Sequence, residues 1–262
     1  MIPPTAAAKA LLSEIASCEV ARSIITNPDS KHTCSEIVNA QQAPNWGSFQ
    51  VPEPWSGDLT TAPVLFLGSN PSFEPEEQYP TASWEEEEVW QFFSERFTSR
   101  WSRDLKVLKV DGGYKAVAYW KQIKERCEEL IERPAAPGQD FALSEVTHCK
   151  SKSQLGVSLA CKTCADKYLM KLLGCSGSIV IVLVGIKAFD VWNQFARDYS
   201  VLPVTPKYGA TPLIPIAGRT RLAVHIGHPS GLNRGPKSFR ECIHSDDLLR
   251  IRSHLKEQLS VL

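Results

Sequence analysis

Four short segments of the chain are apolar almost without interruption, and the stretches between them space their apolar residues three and four apart. "APVLFLGS" (62–69), "FALSEVTH" (141–148), "SIVIVLVG" (178–185) and "RLAVHIGH" (221–228) are those segments, and most are followed by turn or polar residues. Runs of this kind suit parallel strands covered on both faces. Helical spacing is clearest in "YKAVAYWKQIKERCEELIER" (114–133), where Val117, Trp120, Ile123, Cys127, Leu130 and Ile131 form an apolar stripe. "SWEEEEVWQFFSERF" (83–97) opens with a serine cap ahead of glutamates. "CKTCADKYLMKLLG" (161–174) ends in glycine, "KAFDVWNQFARDY" (187–199) follows the third strand, and flanking helices are expected over about 6–26 and 238–260. Strands alternating with helices predict an α/β fold, a three-layer α/β/α sandwich with a central four-stranded, mostly parallel sheet.

In such sheets ligands bind beyond the carboxyl ends of the strands. That rule selects "GSNPSF" (68–73), the residues Glu145, Thr147, His148 and Cys149, and "HPSGLNRG" (228–235). A turn uses the proline and glycine of the last segment, but not its histidine, leucine or arginine.

Charge sharpens the picture. Net charge is zero over 262 residues, so the chain is not basic as a whole. Yet Ser200 to Arg240 contains no Asp or Glu while Lys207, Arg219, Arg221, Arg234, Lys237 and Arg240 all occur, which suggests a phosphate-binding surface. Glu74 to Glu88 is the reverse, with seven glutamates and no Lys or Arg. That run reads as a solvated face or as a lid beside the site.

No run approaches the roughly 20 apolar residues of a membrane helix, so no membrane partner is expected. The N-terminal "MIPPTAAAKALL" has no basic segment before its apolar part, so no signal peptide and an intracellular, cytoplasmic location are expected. Eight cysteines in such a compartment are core thiols, metal ligands or both, rather than a disulfide framework. Cys127, Cys175 and Cys242 look like core. Cys161-Lys-Thr-Cys164, with Cys149 and with Cys34 or Cys18, gives a candidate zinc or iron–sulfur set, taken here as Cys34, Cys149, Cys161 and Cys164.

"LFLGSNPSF" and "HIGHPSGLNR" together resemble the two signature blocks of the uracil-DNA glycosylase superfamily. Gly68-Ser69-Asn70-Pro71 is similar to the first block in its asparagine version. His228-Pro229-Ser230, followed by Gly231-Leu232-Asn233, is similar to the second, and the likeness covers roughly residues 60–250. The resemblance implies one such domain over 1–262, with an N-terminal helical extension over about 1–58 and an acidic insertion over about 74–100. It implies a monomeric, nucleoid-associated enzyme of DNA repair that hydrolyses the N-glycosidic bond of a deaminated or damaged base. The partner is DNA, and catalysis requires no cofactor. Asn70 would orient water and His228 would stabilise the departing base. Gly68, Ser69, Phe73 and Glu145 would bind that base. Leu232 would enter the duplex as the base swings out, Ser230 would shape the loop, and Arg234 and Lys237 would hold phosphates.

Two features depart from the resemblance. Glu145 stands where an asparagine amide often reads the base, and an ionised carboxylate offers acceptors only, unless burial keeps it protonated. The cysteines echo a branch that holds a four-iron cluster, but Ala21 stands where a partner for Cys18 would be. A non-catalytic nucleic-acid or nucleotide-binding module on the same fold is the alternative reading. A metal-dependent hydrolase is weaker, since no His/Asp/Glu ligand set at suitable spacing supports it.

Overall fold

The computed structural model describes residues 6–229 and 236–259. Helices α1 (Ala6–Ala16), α2 (Glu19–Thr26) and α3 (Ser35–Asn39) precede the first strand, β1 (Val64–Gly68). Next come α4 (Glu86–Ser94) and a small antiparallel sheet of β2 (Ser102–Arg103), β3 (Lys106–Leu108) and β4 (Tyr114–Ala116). The chain continues through α5 (Ala118–Ile131), β5 (Phe141–Glu145), α6 (Val157–Cys175), β6 (Val180–Val184) and α7 (Gly185–Asp198). It closes with β7 (Ile214–Ile216), β8 (Arg219–Ile226), α8 (Phe239–Cys242) and α9 (Ser245–Leu259).

The main sheet has the order β5-β1-β6-β8-β7. Its first four strands are parallel, at the predicted places, and β7 adds an antiparallel edge. Because a strand alternates its faces with period two, the continuous apolar runs feed two separate cores. Leu65, Leu67, Ile181 and Leu183 join one with α1, α6 and α7, while Val64, Phe66, Val180 and Val182 join the other with α5 and α9. This is the three-layer sandwich. Among the described residues no helix is long and apolar enough to cross a membrane.

Several element boundaries differ from the sequence reading. The expected helix over 6–26 breaks at Cys18, whose φ of −43° and ψ of 112° leave the helical region. Residues 114–116 form β4 rather than the first turn of a helix. Ser83 does not cap α4, which starts at Glu86 behind Glu85; its hydroxyl instead shares a 2.8 Å hydrogen bond with that of Thr81. Arg221 is no phosphate ligand. It is fully buried, and its guanidinium donates to the carbonyls of Ser176, Ser178 and Ile216, tying β8 to the strands beside it.

Candidate active site

From β1 the chain crosses to β5 on one side of the sheet and then to β6 on the other. The β1/β6 boundary is therefore the topological switch point, the place where sheets of this kind bind ligands. Gly68 and Val184 finish the two strands there, and His228 follows β8, the next strand over.

The ladder between β1 and β5 runs on past both strands. Val146 donates to Gly68 O (3.0 Å), Thr147 to Ser69 O (3.0 Å), Ser151 to Pro71 O (3.2 Å) and Phe73 to Ser151 O (3.1 Å), all through backbone N–H groups. Asn70 thus sits on a zipped loop rather than a loose one. Its amide nitrogen donates to Pro71 O (2.9 Å) and to Ser151 Oγ (3.2 Å), and Ser69 Oγ donates to its Oδ1 (3.3 Å). With both hydrogens engaged, the group Asn70 presents to a ligand is the acceptor Oδ1, and a carbonyl oxygen has a second lone pair to offer.

Glu145 ends β5 directly beside Gly68. A Cβ at Gly68 would come within 2.1 Å of Glu145 Oε2, so the carboxyl occupies the space that only glycine leaves open. Glu145 is 9 % exposed, and its Oε2 has no hydrogen-bond partner among the described residues. Burial, reinforced by the Glu53 carboxylate, pushes the Glu145 carboxyl well above the usual carboxylate range. Its protonated form is favoured over that of an ordinary carboxyl, and Oε2 is unused.

His228 rests on Gly185. A Cβ there would lie 3.1 Å from His228 Cβ, and Gly185 starts α7 with φ of +80°. The Tyr119 ring, at the start of α5, stacks on the imidazole at 5.3 Å and 13°. Burial and the nearby Lys237 ammonium hold the His228 pKa below its ordinary value, so the ring is neutral at pH 7 and carries a single N–H. Gly185→Ala is expected to lower stability by about 1–2 kcal/mol, the typical strain of a left-handed backbone carrying a Cβ. Denaturant unfolding measures it as a lower midpoint at constant slope; an unmoved midpoint would rule out the strained position.

Sequence reasoning missed Glu53, the acid at the centre of this region. It accepts from Ser56 Oγ (2.9 Å) and Tyr79 Oη (3.2 Å). Its charge influences Glu145, Tyr119, Lys150 and Arg96. Its only sequence signal was the flanking prolines of "VPEPW", which favour an extended segment. The backbone of Glu53 exchanges two bonds with His148: Glu53 N–H donates to His148 O (2.8 Å) and His148 Nδ1 donates to Glu53 O (2.7 Å). Burial lowers the His148 pKa to about 4, so this histidine is a neutral clamp. Tyr119 was also missed, its only signal being an aromatic at the edge of an amphipathic helix.

Behind Glu53 lies a buried ionic cluster. Glu77 pairs with Arg96 and, at 3.1 Å, with Lys150. The three residues are 7 %, 2 % and 1 % exposed respectively, and the Lys150 ammonium lies 3.3 Å from the Tyr79 ring centroid. Burial lowers the Lys150 pKa to about 7. Phe73 lines an adjoining groove of about 400 Å³ with Gln50, Glu77, Tyr79 and Trp84, which meets the site through Tyr79 and Glu53. Lys237 lies near enough to His228 to depress its pKa. Ser230, Leu232 and Arg234 lie outside the described residues.

The cysteines gather in a different combination from the expected one. Cys18, Cys34, Cys149 and Cys164 line one small cavity, with Lys167 and Tyr168 beside them. Cys161 is not in that lining; its thiol donates to Ser158 O at 3.5 Å within α6. Cys18 takes its place because the break between α1 and α2 brings it there. Burial raises the Cys34, Cys149 and Cys164 thiols, Cys164 to about 12, and His148 N–H donates to Cys164 Sγ at 3.4 Å. Among the described residues no group of three or more His, Cys, Asp or Glu is arranged to hold a metal ion. A tetrahedral zinc site would need sulfurs about 3.8 Å apart, from Zn–S bonds of about 2.3 Å. Four thiols around one small cavity supply a donor set that zinc and iron–sulfur clusters both use.

No protein-family model matches the chain, and no curated protein matches its sequence.

Proposed function

We propose that the chain is a DNA glycosylase, releasing a deaminated or damaged base that has been flipped out of DNA at the β1/β6 switch point. One observation carries this reading: an Asn70 amide with both hydrogens engaged and a neutral imidazole on His228 stand at strand exits separated only by β6. Two strand spacings, about 10 Å, leave room for a nucleoside between them. Asn70 Oδ1 accepts a hydrogen from water and aims the water lone pair at the anomeric carbon. The water oxygen bonds to that carbon as the glycosidic bond breaks, and the bonding pair leaves with the base. The His228 N–H donates to the oxygen on which charge develops. The attacking water loses a proton to solvent, the departing base anion takes one up, and the products are the free base and an abasic site. A panel of oligonucleotides, each with one modified base, tests the reading through alkali-sensitive breaks. At least one substrate is expected to yield them with wild type, and about 10²-fold more slowly with Asn70→Ala. A panel uniformly uncut, with DNA still bound, would mean a binding module instead.

The four-thiol cavity supports a structural iron–sulfur cluster held by Cys18, Cys34, Cys149 and Cys164. Such a cluster would tie α2, α3, the β5 exit and α6 together, and it has no part in the hydrolytic step above. Anaerobically purified protein is expected to contain iron and acid-labile sulfide. Cys18→Ala should lower both, while Cys161→Ala should leave them unchanged. Zinc in place of iron, or sensitivity to Cys161 rather than Cys18, would overturn the assignment.

A further inference from the structure

We propose that the trough between the small β2–β4 sheet and the start of α5 holds the sugar–phosphate backbone of the DNA strand being read. This rests on the glycosylase reading. The trough encloses about 560 Å³ and is lined by Asp104, Leu105, Lys106, Val117, Lys121 and Lys124, among others.

Register sets a second cation beside Lys106, which lines the trough. Arg103 lies directly opposite Lys106 across the β2–β3 ladder, both exposed. Like charges at directly opposed positions destabilise a sheet, so an anion between them relieves a cost the bare protein carries. Neighbouring lysines are already neutralised: Lys109 by Glu76 (3.3 Å) and Asp111 (3.0 Å), Lys115 by Glu74, and Lys124 by Glu128. Among the described residues no salt bridge involves Arg103, Lys106 or Lys121, and Asp104 pairs with none of them. Lys121 supplies the opposite wall from the first turn of α5. The lysine stems, Leu105 and Val117 give the trough an apolar floor on which a deoxyribose can lie.

The trough is also in the right place. Val117 N–H donates to Leu105 O at 3.3 Å, which pins the β2–β3 hairpin to the entry of α5. Two residues on, Tyr119 stacks on His228. A strand delivering its nucleotide to His228 would therefore pass the trough with the phosphates that adjoin the target.

The test is the salt dependence of binding to a short labelled duplex carrying an uncleavable abasic-site analogue, with the same sequence single-stranded as a second arm. Lys106→Ala/Lys121→Ala is expected to make the log–log slope shallower by about two units on duplex, near 0.9 per lost phosphate contact. Lys109→Ala/Lys115→Ala, with the same change in net charge, should leave the slope at its wild-type value. Lys106→Arg/Lys121→Arg should retain it as well. If wild type binds and both alanine pairs match its slope and affinity, the trough is not the backbone site while the glycosylase reading stands. If wild type binds neither duplex nor single strand, both ideas fall.

Discussion

His228→Ala is expected to slow base release about 10²–10³-fold under single-turnover conditions, with binding to an abasic-site duplex nearly unchanged. The size follows from removing one preorganised donor from a charge that develops only in the transition state. A ground-state contact would instead change affinity and leave the chemical step alone. The imidazole is well placed for this role because Gly185 beneath it and Tyr119 above it fix the ring plane. Asn70→Ala is expected to cost about 10²-fold, the scale on which a misplaced nucleophile is felt. The two losses should combine to less than their product if water and leaving group are served in one step. A His228→Ala rate within a few-fold of wild type would remove the histidine from the mechanism.

Glu145 gives the second large effect, on which base is accepted. In its protonated form it offers an O–H donor beside a C=O acceptor. That pair matches a base presenting a carbonyl next to a ring N–H, as uracil does. Glu145→Leu should then reduce release of such a base by up to about 10⁴-fold, because the polar edge of the base is left unpaired in the pocket. Glu145→Gln keeps a donor and an acceptor and should keep the activity. The pH profiles separate the two further. Wild-type activity should decline as pH rises through the elevated Glu145 pKa, which the Glu53 carboxylate helps to set, whereas Glu145→Gln should show no such limb. Stability follows the same sign. The contribution of the protonated acid is whole below its ordinary value of 4.5 and is lost as pH rises through the folded-state value, so Glu145→Gln should gain on wild type in alkali. Gly68→Ala offers an independent check, since its new methyl would displace only the mobile end of the Glu145 side chain. Base preference should change with little loss of stability. Wild-type and Glu145→Gln profiles that coincide from acid to alkali would show that Glu145 does not read the base.

Much of this was legible in the chain itself, for identifiable reasons. The four parallel strands could be placed because they are buried on both faces over most of their length and so stay largely apolar. Asn70 and His228 were legible because strand exits are where a doubly covered sheet exposes chemistry. Glu53 was not, since its position comes from pairing with His148, 95 residues away, and no local pattern encodes that. The Cys-x-x-Cys spacing also misled: residues three apart on a helix point in directions about 60° apart, and only Cys164 faces the cavity. Arg221 shows the limit of charge counting. An arginine in an acid-free run looks like a phosphate ligand until the carbonyls around it are known.

The Arg96–Glu77–Lys150 cluster bears on how the molecule can be trimmed. Insertions on the surface of an enzyme are usually dispensable, because their backbone and side chains are solvated and their removal leaves the core intact. Here the segment carries Glu77 and Arg96 into the interior and packs Tyr79, Phe92 and Phe93 against the core of the sheet. Excising residues 74–100 would strand the Lys150 ammonium in an apolar site with its partner gone, a loss of the kind that costs about 3–5 kcal/mol. The segment is foundation. A shortened variant would need Lys150 replaced by an apolar residue in the same step.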